Sequence, residues 1–251
     1  MSDLVQLVAE GAVARLTVNR PESRNAMSLE LLAAMHRAVD RLLAGEMGSP
    51  QVIVLTGSGK AFCAGMDLKA VLGKNELALE LLSSLARLTI KIRSTPAVVV
   101  ARVNGAAIGG GCGLACVCDL AVTHADSKMG FPEVDMGVCP AVVAPWLVRK
   151  VGPGRARKIL LTGGLMSGRD AHACGMVDVL CETGPELDAA TEAVVARLAA
   201  GGPQALAATK KLLNELDGSL DEAVVLKGAK LSAAVLATPD AQARLRAKMG
   251  S

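Results

Sequence analysis

Val103-Asn104-Gly105-Ala106-Ala107-Ile108-Gly109-Gly110-Gly111-Cys112-Gly113-Leu114 joins an apolar strand expected over 97–103 to an apolar helix expected over about 111–118. Three consecutive glycines therefore stand where a strand hands over to a helix N-terminus. Backbone N–H groups at a helix start have no intrahelical acceptor and lie at the positive end of the helix dipole. Residues without side chains also let a ligand approach the main chain closely. That is the chemistry of an oxyanion site. Taken alone, a glycine run has the plainer reading of a turn with close helix packing.

Two further segments weigh against the plainer reading. Ala61-Phe62-Cys63-Ala64-Gly65-Met66-Asp67-Leu68-Lys69 follows an apolar strand expected over 51–56 and the turn Gly57-Ser58-Gly59-Lys60, and it is a second strand-loop-helix junction built of small residues. Met129-Gly130-Phe131-Pro132-Glu133-Val134-Asp135-Met136-Gly137 places a carboxylate, Glu133, directly after a proline in an apolar setting. Buried carboxylates have raised pKa values and can trade protons near neutral pH.

The rest of the chain reads as one α/β unit with a helical end. Strands are expected over 4–8 and 12–18, and the second ends at Asn19-Arg20-Pro21. Ser28 then caps a helix whose apolar face is Leu31, Leu32, Met35, Val39, Leu42 and Leu43. After the strand at 51–56 come a long helix over about 76–93 and the strand at 97–103, a β-α-β-α order that argues an α/β domain. From Pro185 onward only helices are expected, over 186–199, 203–215, 220–236 and 240–249, with Gly201-Gly202-Pro203 as a hinge.

Composition narrows the function. The 251 residues are 51% apolar, yet Phe62, Phe131 and Trp146 are the only aromatic residues, so the core rests on Ala, Val, Leu, Ile and Met. Both phenylalanines fall in the proposed site segments, where they can equally be core wedges. The 27 basic and 24 acidic residues are well mixed, with no basic stripe bearing interleaved aromatics, which argues against nucleic acid. The apolar runs are too short to span a bilayer, and Met1 to Glu10 lacks the pattern of a signal peptide. Seven cysteines, an odd number, point to reduced thiols and a cytoplasmic setting. Cys112, Cys116 and Cys118 lack the paired spacing of a metal site and read as small core residues, so no metal is expected.

Other motifs fail in detail. Gly57-Ser58-Gly59-Lys60 is followed by Ala61 where a nucleotide loop needs Ser or Thr, and Val54 stands where that loop begins with glycine. Leu114 takes the place of the third glycine of a dinucleotide fingerprint. His36, His124 and His172 all lie outside the site segments, and no G-x-S-x-G elbow exists to support a serine triad.

The three site segments, in this order, resemble the enoyl-CoA hydratase/isomerase (crotonase) superfamily. The resemblance covers nearly the whole chain. Leu16-Thr17-Val18-Asn19-Arg20-Pro21 and Arg24-Asn25-Ala26-Met27 look like the family's first strand and CoA-binding turn, and Leu161-Thr162-Gly163-Gly164 and Gly175-Met176-Val177-Asp178 extend the match. It implies a crotonase-like ββα spiral core at 1–195 carrying the acyl-CoA site. A C-terminal helical oligomerisation region at 196–251 would pack a homotrimer or a dimer of trimers. The substrate would be an acyl-CoA thioester and no separate cofactor would be needed.

The same resemblance assigns roles. The N–H groups of Met66 and Gly110 would form the oxyanion hole, and Glu133 would be the acid/base. Substrate contacts would come from Arg24, Ala26, Ala64, Gly65, Met66, Asp67, Leu68, Ile108, Gly109, Gly110, Gly113, Pro132, Glu133 and Ala141. Arg24 and Lys69 are candidates to meet CoA phosphates, and Asp67 is expected to fix its loop rather than react. The chain departs from the family twice. Gly113 stands where typical hydratases carry a first glutamate, and Pro140-Ala141-Val142-Val143-Ala144-Pro145-Trp146 replaces a glycine-rich run that helps hold the attacking water. The expected activity is enoyl-CoA hydration, including branched esters such as methylglutaconyl-CoA. A 3,2-enoyl-CoA double-bond isomerase and a non-catalytic acyl-CoA-binding oligomer are the alternatives.

Overall fold

The computed structural model describes residues 4–249. A hairpin, β1 (Val5–Glu10) and β2 (Val13–Val18), leads into α1 (Leu29–Leu43), whose N-cap Ser28 accepts the Leu31 N–H. Three turns of one pattern follow, each a long strand, a short strand and then helix. The first is β3 (Val52–Gly57), β4 (Ala61–Cys63), α2 (Leu68–Val71) and α3 (Asn75–Ser94). The second is β5 (Val98–Val103), β6 (Ala106–Ile108) and α4 (Gly110–Val117). The third is β7 (Leu120–His124), β8 (Lys128–Gly130), α5 (Ala144–Val151) and α6 (Pro153–Thr162). Then come β9 (Leu165–Ser167), α7 (Gly168–Ala173), β10 (Val179–Cys181), α8 (Leu187–Ala199), α9 (Pro203–Leu216), α10 (Glu222–Leu236) and α11 (Pro239–Met249).

Because each turn stacks on the last, the long strands β3, β5 and β7 pair with one another and the short strands β4, β6 and β8 with one another. One sheet runs β1-β2-β3-β5-β7-β10 and the other β4-β6-β8-β9. Among the described residues, only the β1/β2 and β8/β9 pairs are antiparallel. The registers Val52↔Val98 and Val100↔Leu120 hold the long strands level, so the corners into the short strands also stack.

Strands β3 and β5 are buried on both faces, which explains their unbroken apolar sequence. Leu16, Ile53, Leu55 and Val99 face α1 and α3 in the main core, while Val52, Val54, Val100 and Val122 face Leu187 and Val195 of α8. Phe62, Phe131 and Trp146 are fully buried, the largest wedges of this core.

The long elements match the sequence expectation to within two or three residues. The boundary placed after residue 195 falls inside α8, whose apolar face covers the sheet on both sides of that point. Helix α10 is likewise joined to the core. Its Val225 is buried with Ala229 and Leu236 where α10 packs on α3. The strands β4, β6, β8, β9 and β10 and the helices α5, α6 and α7 were not anticipated.

All seven cysteines are free thiols, and burial pushes Cys63 and Cys118 up to about 12. Among the described residues no group of three His, Cys, Asp or Glu side chains could hold a metal ion, and no helix is long and apolar enough to cross a membrane.

Candidate active site

The short-strand sheet aims two loops at one cavity. After β4 the chain turns at Gly65 (φ +91°), where a Cβ would lie 2.7 Å from the Ile108 carbonyl oxygen. Only glycine fits this crossing. The loop is held by a parallel bridge to residue 27, in which the Met27 N–H donates to Gly65 O (2.7 Å) and the Asp67 N–H donates to Met27 O (3.0 Å). This register leaves the Met66 N–H out of the bridge. After β6, Gly109 (φ +55°) donates its N–H to Gly130 O (2.8 Å) and opens α4, so Gly110 is the first helical residue and its N–H belongs to the orphan donors of that end. The Cβ position of Gly65 lies 3.7 Å from the Gly110 nitrogen, which sets the two loops side by side.

Glu133 completes the arrangement. It follows Pro132 and leads a short 3-10 turn over Val134–Met136, and its carbonyl accepts from Met136 N (3.0 Å) and Val138 N (2.8 Å). Its carboxylate packs on Gly109, where a Cβ would meet Oε1 at 2.6 Å. Oε2 is buried without a hydrogen-bond partner. Loss of hydration raises the Glu133 pKa from 4.5 to about 7, opposed by its own backbone N–H and reinforced by the nearby Asp135 charge.

The cavity measures about 80 Å³, several times the 10–15 Å³ that one water needs. Ala64, Gly65, Met66, Leu68, Ile108, Gly109, Gly110, Pro132 and Glu133 line it, all nine anticipated. Its inner walls are apolar: Leu82 and Leu85 of α3, then Met136, Val138, Val142 and Val143. These and the buried Ser232 of α10 were missed. An apolar stripe on a long helix signals burial, but nothing local says that it borders a ligand.

Other anticipated residues stand outside the lining. Arg24 (φ +53°) is exposed on its turn, Ala26 is half-buried beside it, and Lys69 is exposed on α2. Asp67 pairs with Arg20 (3.1 Å), which also donates to Ala26 O (3.0 Å). The pair ties the turn after β2 to the loop after β4. Asn25, fully buried, accepts from Arg20 N and donates to Ser58 O and Ala61 O, fastening the same turn to β4. Gly113 lies inside α4, and a Cβ there would overlap the Val143 side chain. Ala141 faces a separate groove. Neither lines the cavity: Val143 fills the space next to Gly113, and Ala141 borders the groove while its neighbours Pro140 and Val142 border the cavity.

The family model described as enoyl-CoA hydratase/isomerase matches residues 8–243. A Thermus thermophilus protein with the name "Putative enoyl-CoA hydratase" is 40% identical over 215 residues, 84% of each chain. The 2,3-dehydroadipyl-CoA hydratase of Escherichia coli is 30% identical over 96% of this chain and 92% of its own. The crystal structure of an enoyl-CoA hydratase from Mycobacterium avium superposes with a TM-score of 0.88 at 30% identity, covering 100% of this chain and 97% of that one. The chain therefore belongs to the enoyl-CoA hydratase/isomerase family of enzymes, which act on acyl-CoA thioesters.

Proposed function

We propose that this enzyme hydrates the double bond of a 2-enoyl-CoA ester with Glu133 as the single proton carrier. The thioester oxygen accepts hydrogen bonds from the N–H groups of Met66 and Gly110, which stabilise the charge that develops there. Preorganised donors of this kind are each worth about 10²–10³ in rate. The Glu133 carboxylate takes a proton from water as the water oxygen bonds to C3. The double-bond electrons move onto the C2–C1–O enolate, and C2 then takes the proton back from Glu133. Water is added across C2=C3 and Glu133 ends ionised, as it began. The observation that carries this reading is the unpartnered, buried carboxylate oxygen of Glu133 in a cavity bordered by both loops.

A second reading is supported by the Val143 side chain beside Gly113, which leaves the lining with one carboxylate. Glu133 could then take a proton from C2 of a 3-enoyl-CoA and return it to C4, moving the double bond. Turnover of crotonyl-CoA, methylglutaconyl-CoA and 3-hexenoyl-CoA by one preparation separates these readings. Hydration exceeding isomerisation supports the first, and branched substrate exceeding crotonyl-CoA narrows it to branched esters. The reverse ratio supports the isomerase. CoA-ester binding without turnover of any of the three supports a non-catalytic binding protein.

A further inference from the structure

The acyl cavity is small, and one of its walls is a single chain segment thick. Val138, Cys139 and Pro140 border the cavity on one side and, on the other, an open apolar groove among α5, α6 and α10. The groove measures about 920 Å³ against about 80 Å³ for the cavity, and Val148, Leu161 and Leu231 are among its walls.

Helix α10 fixes this wall in place. The Ser232 hydroxyl donates to the Cys139 carbonyl (2.6 Å) and accepts the Ala141 N–H (3.1 Å), bracketing Pro140. One helical turn earlier, Gly228 lets the helix backbone sit directly against the Ala141 carbonyl, where a Cβ would collide. Ser232 is a polar residue, 1% exposed, on a helix face otherwise made of Val225, Ala229, Ala233 and Leu236. A buried hydroxyl needs partners, and both partners of this one belong to the wall.

We propose that Ser232 is a specificity-determining residue: its two hydrogen bonds hold the 139–141 segment shut and limit the enzyme to short acyl chains. When they are removed, the tail of a longer chain runs past Pro140 into the groove. The proposal rests on the acyl-CoA reading of the cavity. It assigns the groove to the acyl tail because the two spaces share a wall and because both are apolar.

Saturated esters test this without turnover. Calorimetry of butyryl-CoA and decanoyl-CoA on the whole enzyme should show wild type binding decanoyl-CoA more weakly. Ser232→Ala should tighten decanoyl-CoA by at least about tenfold, since each buried methylene adds to binding, while butyryl-CoA changes less than about threefold. Gly228→Ala, which presses the wall outward at its other contact, should shift the ratio the same way and guards against one variant failing to fold. Wild type that binds both esters equally would overturn the proposal. So would a ratio unchanged in both variants, the result expected if a second copy of the chain already fills the groove. Absent turnover with a shifted binding ratio would sink the hydratase reading and leave the length limit standing, whereas no binding of either ester would overturn both.

Discussion

At the scale of single residues, Glu133 has opposite demands placed on it. Burial favours its neutral form, and catalysis as a base needs its ionised form, so a pKa near 7 is a compromise between the two. The same shift links stability to pH. Its folded pKa lies above the ordinary value of 4.5, so the folded state gains from binding this proton below about pH 4.5 and loses that gain as pH rises through about 7. A shift of this size corresponds to a penalty of about 3 kcal/mol at pH 8. Glu133→Gln, which has no charge to bury, should therefore melt higher than wild type at pH 8, with the difference shrinking toward pH 5. Thermal melts of both proteins across that range check the sign. A difference that does not vary with pH would mean that the carboxylate is better solvated than its surroundings indicate.

Among the elements, α4 and the lead-in to α5 decide what the site lacks. Gly113 of α4 touches Val143, so the position of the family's first glutamate is closed by packing. On sequence alone Gly113→Glu reads as a gain of hydratase function, but here the side chain has nowhere to go. Gly113→Ala is the sharper probe. Alanine ordinarily favours a helix interior by up to about 1 kcal/mol over glycine, whereas overpacking costs about 1–3 kcal/mol. Denaturant melts should show a net loss of stability, and Val143→Ala in the same chain should recover part of it, as neighbouring sites are not additive. Purely additive losses would contradict the contact.

How much of this was legible follows from length and period. The strands β3 and β5 and helices α1, α3 and α8–α11 carry enough residues to show a pattern. The three-residue strands β4, β6 and β8, which carry or flank the site loops, do not. Gly65, Gly109 and Glu133 were found because loop chemistry is written in residue type. Val143 and Ser232 were not, since a valine beside a glycine or a serine on an apolar helix gains meaning only from what the fold brings against it.

For the whole molecule, the helical region has two faces. Its inner face, with Val225, Ala229 and Leu236, belongs to the core. Its outer face leaves Leu212, Leu213, Leu216 and Leu220 in or beside α9 exposed, Leu216 by 75%. Grouped apolar residues of this kind mark a contact surface, and we propose that they pack between subunits of a homotrimer or a dimer of trimers. Light scattering should give three or six times the 25.6 kDa chain mass, and a monomer at micromolar concentration would contradict it.

Around all of this stands the assignment of proton transfer to one buried carboxylate. The most direct measurement is kcat/KM for crotonyl-CoA hydration by wild type and Glu133→Gln, with butyryl-CoA affinity taken on the same preparations. Glu133→Gln should lower turnover by at least about 10²-fold, the lower range of general acid/base contributions, with affinity within about threefold of wild type. Turnover retained in Glu133→Gln would contradict that assignment.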